Sequence, residues 1–426
     1  MAEIPTGSQT QKSYDRGLLI LFGLAFGARL LERLVAAFFL AARQLDFTTN
    51  YGLTEWLINY AGGFQRRGLP GALIHGLHEK FQLAPNLSIV ISCLFLYLAF
   101  GIYLWRQSSG IVPRWVLLTT PLLGYPVFVD RILIRKDLLI LLLFALAVKL
   151  VCTHRKALSD GIASLLLLVG ILSHELIAFL ALPSLALLML LRESAEGSNF
   201  RRAARGACAS LLWLFIPLTS FVAILFFRGT DERADAIALS WKSAFAPGLP
   251  FTGPKGAIAW LPLPSERYIA DSQGVLSQLH FGFPFWLILV LVSISGVVLL
   301  AAVIGRASPR RAWFFVAAAL CQFLIMAPVF YHSWDHGRWV VLCLMTAFVL
   351  AIETPMTWQV KFAELSRFPH QLQTLIMPGW MAPLGLGLWG VQVVSWSVYG
   401  WLASAPVGII LQIYFYLRVL GLQRPF

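Results

Sequence analysis

Charge is what this chain has least of: Asp, Glu, Lys and Arg make up only 12% of its 426 residues, against roughly 25% in soluble domains. A solvated globular surface is thereby excluded. Paired cysteines are also missing. Cys93, Cys152, Cys208, Cys321 and Cys343 all fall within or at the end of apolar segments and form no CxxC pattern, so they read as buried thiols rather than a disulfide framework or a zinc site. There is no HExxH, Gly-x-Ser-x-Gly, Walker or Rossmann pattern. Internal repeats, low-complexity tracts and a second soluble domain are absent as well.

What is present is grease. Hydrophobic residues make up 58% of the chain and the mean hydropathy is +0.75, the composition of a polytopic membrane protein. The net charge of +13 comes from small groups of Lys and Arg flanking apolar runs. That placement suits membrane lipids as partners and argues against nucleic acid. A helix needs about 20 apolar residues to cross a bilayer. Runs of this kind occur at Gly17–Ala42, Leu87–Trp105, Trp115–Val129, Leu138–Val151, Leu158–Leu172, Leu176–Leu191 and Ala207–Phe227. Others follow at Phe285–Ile304, Ala312–Phe330, Val340–Ile352, Ile376–Trp396 and Trp401–Leu420. The polar start, with Lys12 and Arg16, lacks a small-residue cleavage site, so the first run reads as a retained span. The expected fold is an all-α, polytopic transmembrane helical bundle of about 12 spans. It forms a single integral-membrane domain over 1–426: seven spans in 16–228 with an outer loop at 43–86, a long outer loop at 229–284, and five spans in 285–426.

Basic residues in the short loops place both termini on the cytoplasmic side. The outer side then receives Arg43–Asn86, Asp130–Asp137, Ser173–Glu175, Arg228–Pro284 and Tyr331–Arg338. Two of these are short yet cationic, against the topological rule. Interfacial anchoring by Arg and Trp explains such residues without chemistry; an anion site is the functional explanation. The most distinctive stretch is Asn59 to Gly71, where paired glycines and Arg66–Arg67 put two permanent cations beside a pliable backbone. Ala72 to Phe81 follows as an amphipathic helix, with Leu73, Leu77 and Phe81 near one face.

Ionisable groups gather on this outer side. The candidates for proton transfer are Asp46, Glu55, His174, Glu175, Asp335 and His336. Those for holding substrate are Arg66, Arg67, Arg135, Lys136, Arg338 and Trp339, guanidinium groups being suited to diphosphate and Trp to a sugar face or the interface. Each has a bland counterpart: Asp46 and Glu55 as solvated carboxylates, Arg66 and Arg67 as lipid anchors, His174 and Glu175 as a structural turn. Within the first span, Glu32 pairs with Arg29 more readily than it catalyses, though such charges also mark transport pathways. The acidic and imidazole candidates are donors a divalent metal accepts, yet no metal-binding spacing organises them, and no cofactor is implied with certainty.

The many spans, the first outer loop with Asp46 and Glu55 ahead of an amphipathic segment, the long later outer loop and the outer arginines resemble the GT-C class of integral-membrane glycosyltransferases, including O-antigen and exopolysaccharide polymerases. The resemblance covers most of the chain as architecture and little of it as motif. It implies a membrane glycosyltransferase or polysaccharide polymerase at the outer, periplasmic face of a bacterial inner membrane. Its partners would be a polyprenyl-phosphate- or polyprenyl-diphosphate-linked glycan donor and a glycan or lipid acceptor. Asp46 or Glu55 would be the first-loop catalytic carboxylate, and Arg66, Arg67, Arg135 and Arg338 phosphate contacts. The chain departs from the class in lacking an Asp-Glu or Asp-Asp pair in that loop and a soluble C-terminal domain. Two other readings remain: a flippase or transporter of a lipid-linked or anionic solute, and a membrane acyltransferase with His174 or His336 as base.

Overall fold

The computed structural model describes residues 7–42, 51–119, 121–124, 133–153, 157–196, 200–227, 229–244, 253–264, 266–267, 270, 282–332 and 336–365. Asp46, Asp335 and the expected spans Ile376–Trp396 and Trp401–Leu420 lie outside these residues. Among the described residues every regular element is helical, as the composition predicts. The first half holds α1 (Gly7–Ala42), α2 (Tyr51–Trp56), α3 (Gly68–Phe81), α4 (Pro85–Gln107), α5 (Arg114–Thr119), α6 (Pro121–Gly124), α7 (Asp137–Thr153), α8 (Ala157–Ser173) and α9 (Leu176–Glu196). The second half holds α10 (Phe200–Leu212), α11 (Phe215–Phe226), α12 (Asp231–Ser240), α13 (Gly256–Ala259), α14 (Gly282–Ala307), α15 (Pro309–His332), α16 (His336–Glu353) and α17 (Met356–Leu365).

Four of these, α4, α9, α15 and α16, are long and apolar enough to cross a membrane, and the bent pair α10 and α11 would make a fifth. Of the other apolar runs, Leu138–Val151, Leu158–Leu172 and Phe285–Ile304 each lie within one helix, α7, α8 and α14, and the rest depart from a plain apolar helix. α1 is 36 residues long but carries the bonded trio Arg29, Glu32 and Arg33 in its middle. Within the Trp115–Val129 run the described residues form α5 and α6, the second opening at Pro121, whose ring has no N–H to donate to a preceding turn. Ala207–Phe227 is likewise two helices meeting at 46°. Pro217 has no N–H to offer the carbonyl of Trp213, and the Ser164 hydroxyl of α8 donates to that oxygen instead, at 2.5 Å.

The centre of the bundle is α16, buried at every residue from His336 to Ile352. It packs against α7, α9, α14 and α15. Charge at its start is tolerated because Arg338 grips Asp137 of α7 with both prongs, Nη2 to Oδ1 at 2.6 Å and Nε to Oδ2 at 2.8 Å. At its other end Glu353 accepts the hydroxyl of Tyr103 at 2.8 Å, and Arg311 donates to the carbonyls of Ala351 and Ile352. α7, α9 and α16 therefore begin at one end of the bundle, and α8 runs back between them. Gln322 of α15 ties α9 in at mid-height, donating to Leu180 O at 3.0 Å and Ser184 Oγ at 2.6 Å.

Over the end where these helices begin lies a cap made from two distant segments. Trp241 donates its indole N–H to Leu57 O at 2.8 Å, Asn59 donates to the Ser240 hydroxyl at 2.9 Å, and the Ala257 amide donates to Thr54 Oγ1 at 2.9 Å. His75 stands edge-on to the Trp241 ring, 4.9 Å between centroids. α3 buries Gly68, Pro70, Gly71 and Ile74 and leaves Leu73, Leu77 and Phe81 exposed, an apolar stripe suited to an interface.

Candidate functional site

Beneath that cap, four stretches that are far apart in sequence meet. α2 supplies Glu55; the loop into α3 supplies Arg66 and Arg67; the start of α7 supplies Lys136 and Asp137; the α8–α9 turn supplies His174 and Glu175. Arg67 is the hub. Its Nε donates to both oxygens of Glu175 at 3.0 and 2.9 Å, its Nη2 to Glu175 Oε1 at 2.6 Å, and its Nη1 to Glu55 Oε1 at 3.2 Å. To reach both carboxylates its backbone takes φ 64°, ψ 10°, a left-handed conformation that disfavours a side chain. Behind it, Gly71 packs so closely on the Ile58 carbonyl that a Cβ would overlap it. Lys136, wholly buried, donates to the carbonyl of Arg67 at 3.1 Å and sits 5.8 Å above the Trp56 ring.

The orientation of His174 follows from its bonds. The Leu176 amide donates to Nδ1 at 3.2 Å, which leaves the proton on Nε2, 3.3 Å from Glu55 Oε1. Burial, and after it Arg67, lower the pKa of His174 below its ordinary value, against the pull of the two carboxylates, so the ring is a neutral donor. Glu55 is buried, which alone would favour its acid form, but His174, Arg67 and Arg338 hold it well below the ordinary carboxylate range. Glu175 is lowered too, since Arg67, His174 and Arg66 outweigh its burial. Burial makes the Lys136 ammonium more acidic than a free lysine; Glu55 and Glu175 recover part of the loss.

One oxygen stands out. Glu55 Oε2 is buried and has no hydrogen-bond partner among the described residues, while its twin Oε1 receives Arg67 and His174. Close by in sequence, the Trp56 indole N–H, the Tyr60 hydroxyl, Gln65 Oε1 and Arg66 Nε are also buried without a partner among the described residues. Buried polar atoms are nearly always satisfied, so the run of exceptions along Glu55 to Arg66 sets this stretch apart as the candidate site. α7, α9 and α16 also begin here, which favours negative charge.

The candidates divide accordingly. Glu55, Arg66, Arg67, Lys136, His174 and Glu175 come together. Arg338 is adjacent but committed to Asp137, with its guanidinium 4.7 Å over the buried Trp339 ring, so Trp339 is not free to stack on a ligand. His336 is buried with Nε2 3.2 Å from Phe330 O. Arg135 is part-buried just before Lys136. Among the described residues no group of three or more His, Cys, Asp or Glu side chains is disposed to hold a metal ion. Sequence reasoning passed over Tyr60 and Gln65, ordinary loop residues whose only signal is position between Glu55 and Arg66. The chain matches no family model, no curated protein and no solved structure.

Proposed function

We propose that the chain is a membrane glycosyltransferase or polysaccharide polymerase, of the GT-C kind, that consumes a polyprenyl-phosphate- or polyprenyl-diphosphate-linked sugar at the outer face of a bacterial inner membrane. In this reading the chain crosses the membrane about 12 times with both termini cytoplasmic. The observation that carries it is Oε2 of Glu55, unpartnered among the described residues, on a carboxylate held below its ordinary range and fixed in place by Arg67 and His174.

An acceptor hydroxyl hydrogen-bonds to Oε2 and passes its proton there as its oxygen bonds to the anomeric carbon. The bond from that carbon to the phosphate oxygen breaks, and the lipid phosphate leaves with the electron pair. A carboxylate held this low is a weak base, suited to a transition state in which cleavage runs ahead of proton transfer. Arg66, half-exposed and 3.7 Å from Glu175, and the helix starts offset the charge on the leaving group. Arg67 and Arg338, each already holding carboxylates, position the site. His174 offers no basic lone pair, since its Nδ1 takes the Leu176 amide; this weighs against an acyltransferase with that histidine as base. The Arg29–Glu32–Arg33 set is paired within α1, which weighs against a transport pathway there.

Surface glycans resolved on gels, from cells carrying Glu55→Ala, Arg67→Ala, Glu175→Ala or Arg338→Ala at normal membrane levels, test this. A polymerase loses long chains and keeps single repeat units; loss of all glycan indicates an earlier transferase or a flippase. An unchanged pattern in all four overturns the proposal.

A further inference from the structure

The end of the bundle away from Glu55 contains a cavity of about 770 Å³ between the start of α1, the turn from α4 to α5 and the last turn of α14. Arg16, Arg114 and Arg306 line it, together with Asp15 and the apolar Leu19, Ile111, Val112 and Val303. Asp15 is engaged by the Trp115 indole, which donates to Oδ1 at 3.0 Å, and is outnumbered three to one by the arginines. Arg114 is fixed in place: its guanidinium lies 4.3 Å over the Trp105 ring and Nη2 donates to Ser109 Oγ at 3.3 Å. Nη1 of the same group is buried with no partner among the described residues. A guanidinium held by stacking, with one prong left over, beside two further arginines and an apolar wall, suits a phosphate carrying a hydrocarbon chain. From the cavity mouth the exposed side of α1 continues as Ile20, Leu21, Leu24 and Leu31, a track for that chain.

We propose that this cavity is a specific site for an anionic membrane phospholipid, its phosphate held by Arg114, Arg16 and Arg306 and one acyl chain laid along α1. The site lies at the opposite end from the Glu55 cluster, and the proposal stands whatever reaction occurs there.

Native mass spectrometry of the detergent-purified full chain, titrated with phosphatidylglycerol, with phosphatidylcholine and with inorganic phosphate, tests it. Phosphatidylglycerol is expected to bind in a saturable way and at least about tenfold more tightly than phosphatidylcholine, a factor one charge-assisted contact supplies. Arg114→Gln is expected to remove most of that preference, the double variant Arg16→Gln/Arg306→Gln to do the same, and Arg310→Gln, exposed outside the cavity, to leave it intact. Should Arg114→Gln misfold, the double variant decides alone. Equal binding of the two lipids, or a preference that survives in folded variants, overturns the site. Displacement of the lipid by millimolar inorganic phosphate would make it a free-phosphate site and overturn the lipid assignment.

Discussion

At the C-terminal end of α9, Arg192 meets Asp160 prong to prong, Nη1 to Oδ1 at 2.8 Å and Nη2 to Oδ2 at 2.7 Å, with Ser210 and Glu193 taking its remaining donors. At the N-terminal end of the same helix, Arg67 joins Glu175 to Glu55, yet Glu55 keeps one buried oxygen with no partner among the described residues. Both are buried carboxylate–guanidinium clusters, roughly 24 Å apart at 1.5 Å per residue from Leu176 to Arg192. One is closed and the other open. A closed cluster locks helices together, and an open one retains unspent interaction energy that only an arriving group can use.

Chemistry should separate the two ends most sharply. Glu55→Gln, close in shape but unable to take a proton, is expected to cut glycan assembly by about 10²–10⁴-fold while the protein remains folded, as glycan gels and size-exclusion profiles of the purified protein would report. Asp160→Leu with Arg192→Met, removing the closed pair whole, is expected to leave the glycan pattern unchanged; loss of glycan there would erase the distinction.

Stability should separate them less. Arg67→Ala strands Glu55 and Glu175, and Arg192→Ala strands Asp160, so each is expected to lose about 3–5 kcal/mol, the cost of an uncompensated buried charge. Thermal or denaturant unfolding in detergent checks this. The paired apolar replacement at the closed end is expected to change stability by less than about 1 kcal/mol or to raise it.

Acid should act on the open end first. The unfolded chain takes up the proton that folded His174 refuses, so stability is expected to fall as pH drops below the ordinary histidine value of 6.5, by at most about 1.4 kcal/mol per pH unit. His174→Asn should remove this portion. Glu55 and Glu175, both depressed, contribute stability that is present above the ordinary carboxylate value of 4.5 and lost as pH falls through their lower folded values. A Tm measured across this range that stays flat in the parent would contradict the assigned state of His174.

The most local effect concerns the wall of the open site. Gly71→Ala pushes a methyl group into the Ile58 carbonyl and is expected to cost about 1–3 kcal/mol, read in the same unfolding experiments. Gly76→Ala on the same helix, where nothing lies within 4 Å, should be neutral or slightly stabilising.

Helices were legible because their signal is local: Leu176–Leu191 and Leu87–Trp105 are apolar runs that need only themselves, and both appear as α9 and α4. The bend within Ala207–Phe227 left no mark on the composition rule, because an apolar run that continues through Pro217 satisfies it as well as a straight one. The charged residues of the cluster were legible for the opposite reason, since Arg67, Lys136 and Glu175 are conspicuous in so apolar a chain. Their division of labour was not. Which arginine of the Arg66–Arg67 pair becomes the hub depends on a left-handed backbone at residue 67, and the bond from Lys136 to the carbonyl of Arg67 spans 69 residues. The cap held by Trp241 and Ser240 joins positions more than 180 apart, and no spacing rule connects them.

Asp137 and Arg338 lie 201 residues apart, and the ribosome makes them in that order. At about 5–20 residues per second, roughly 10–40 s pass before the acid at the start of α7 meets its counter-ion. Until then α7 lacks the counter-ion of its first residue. The members of the open cluster, Glu55 to Glu175, are all made before α16, so a chain released early has the parts of the site without the clasp that holds α7 in place.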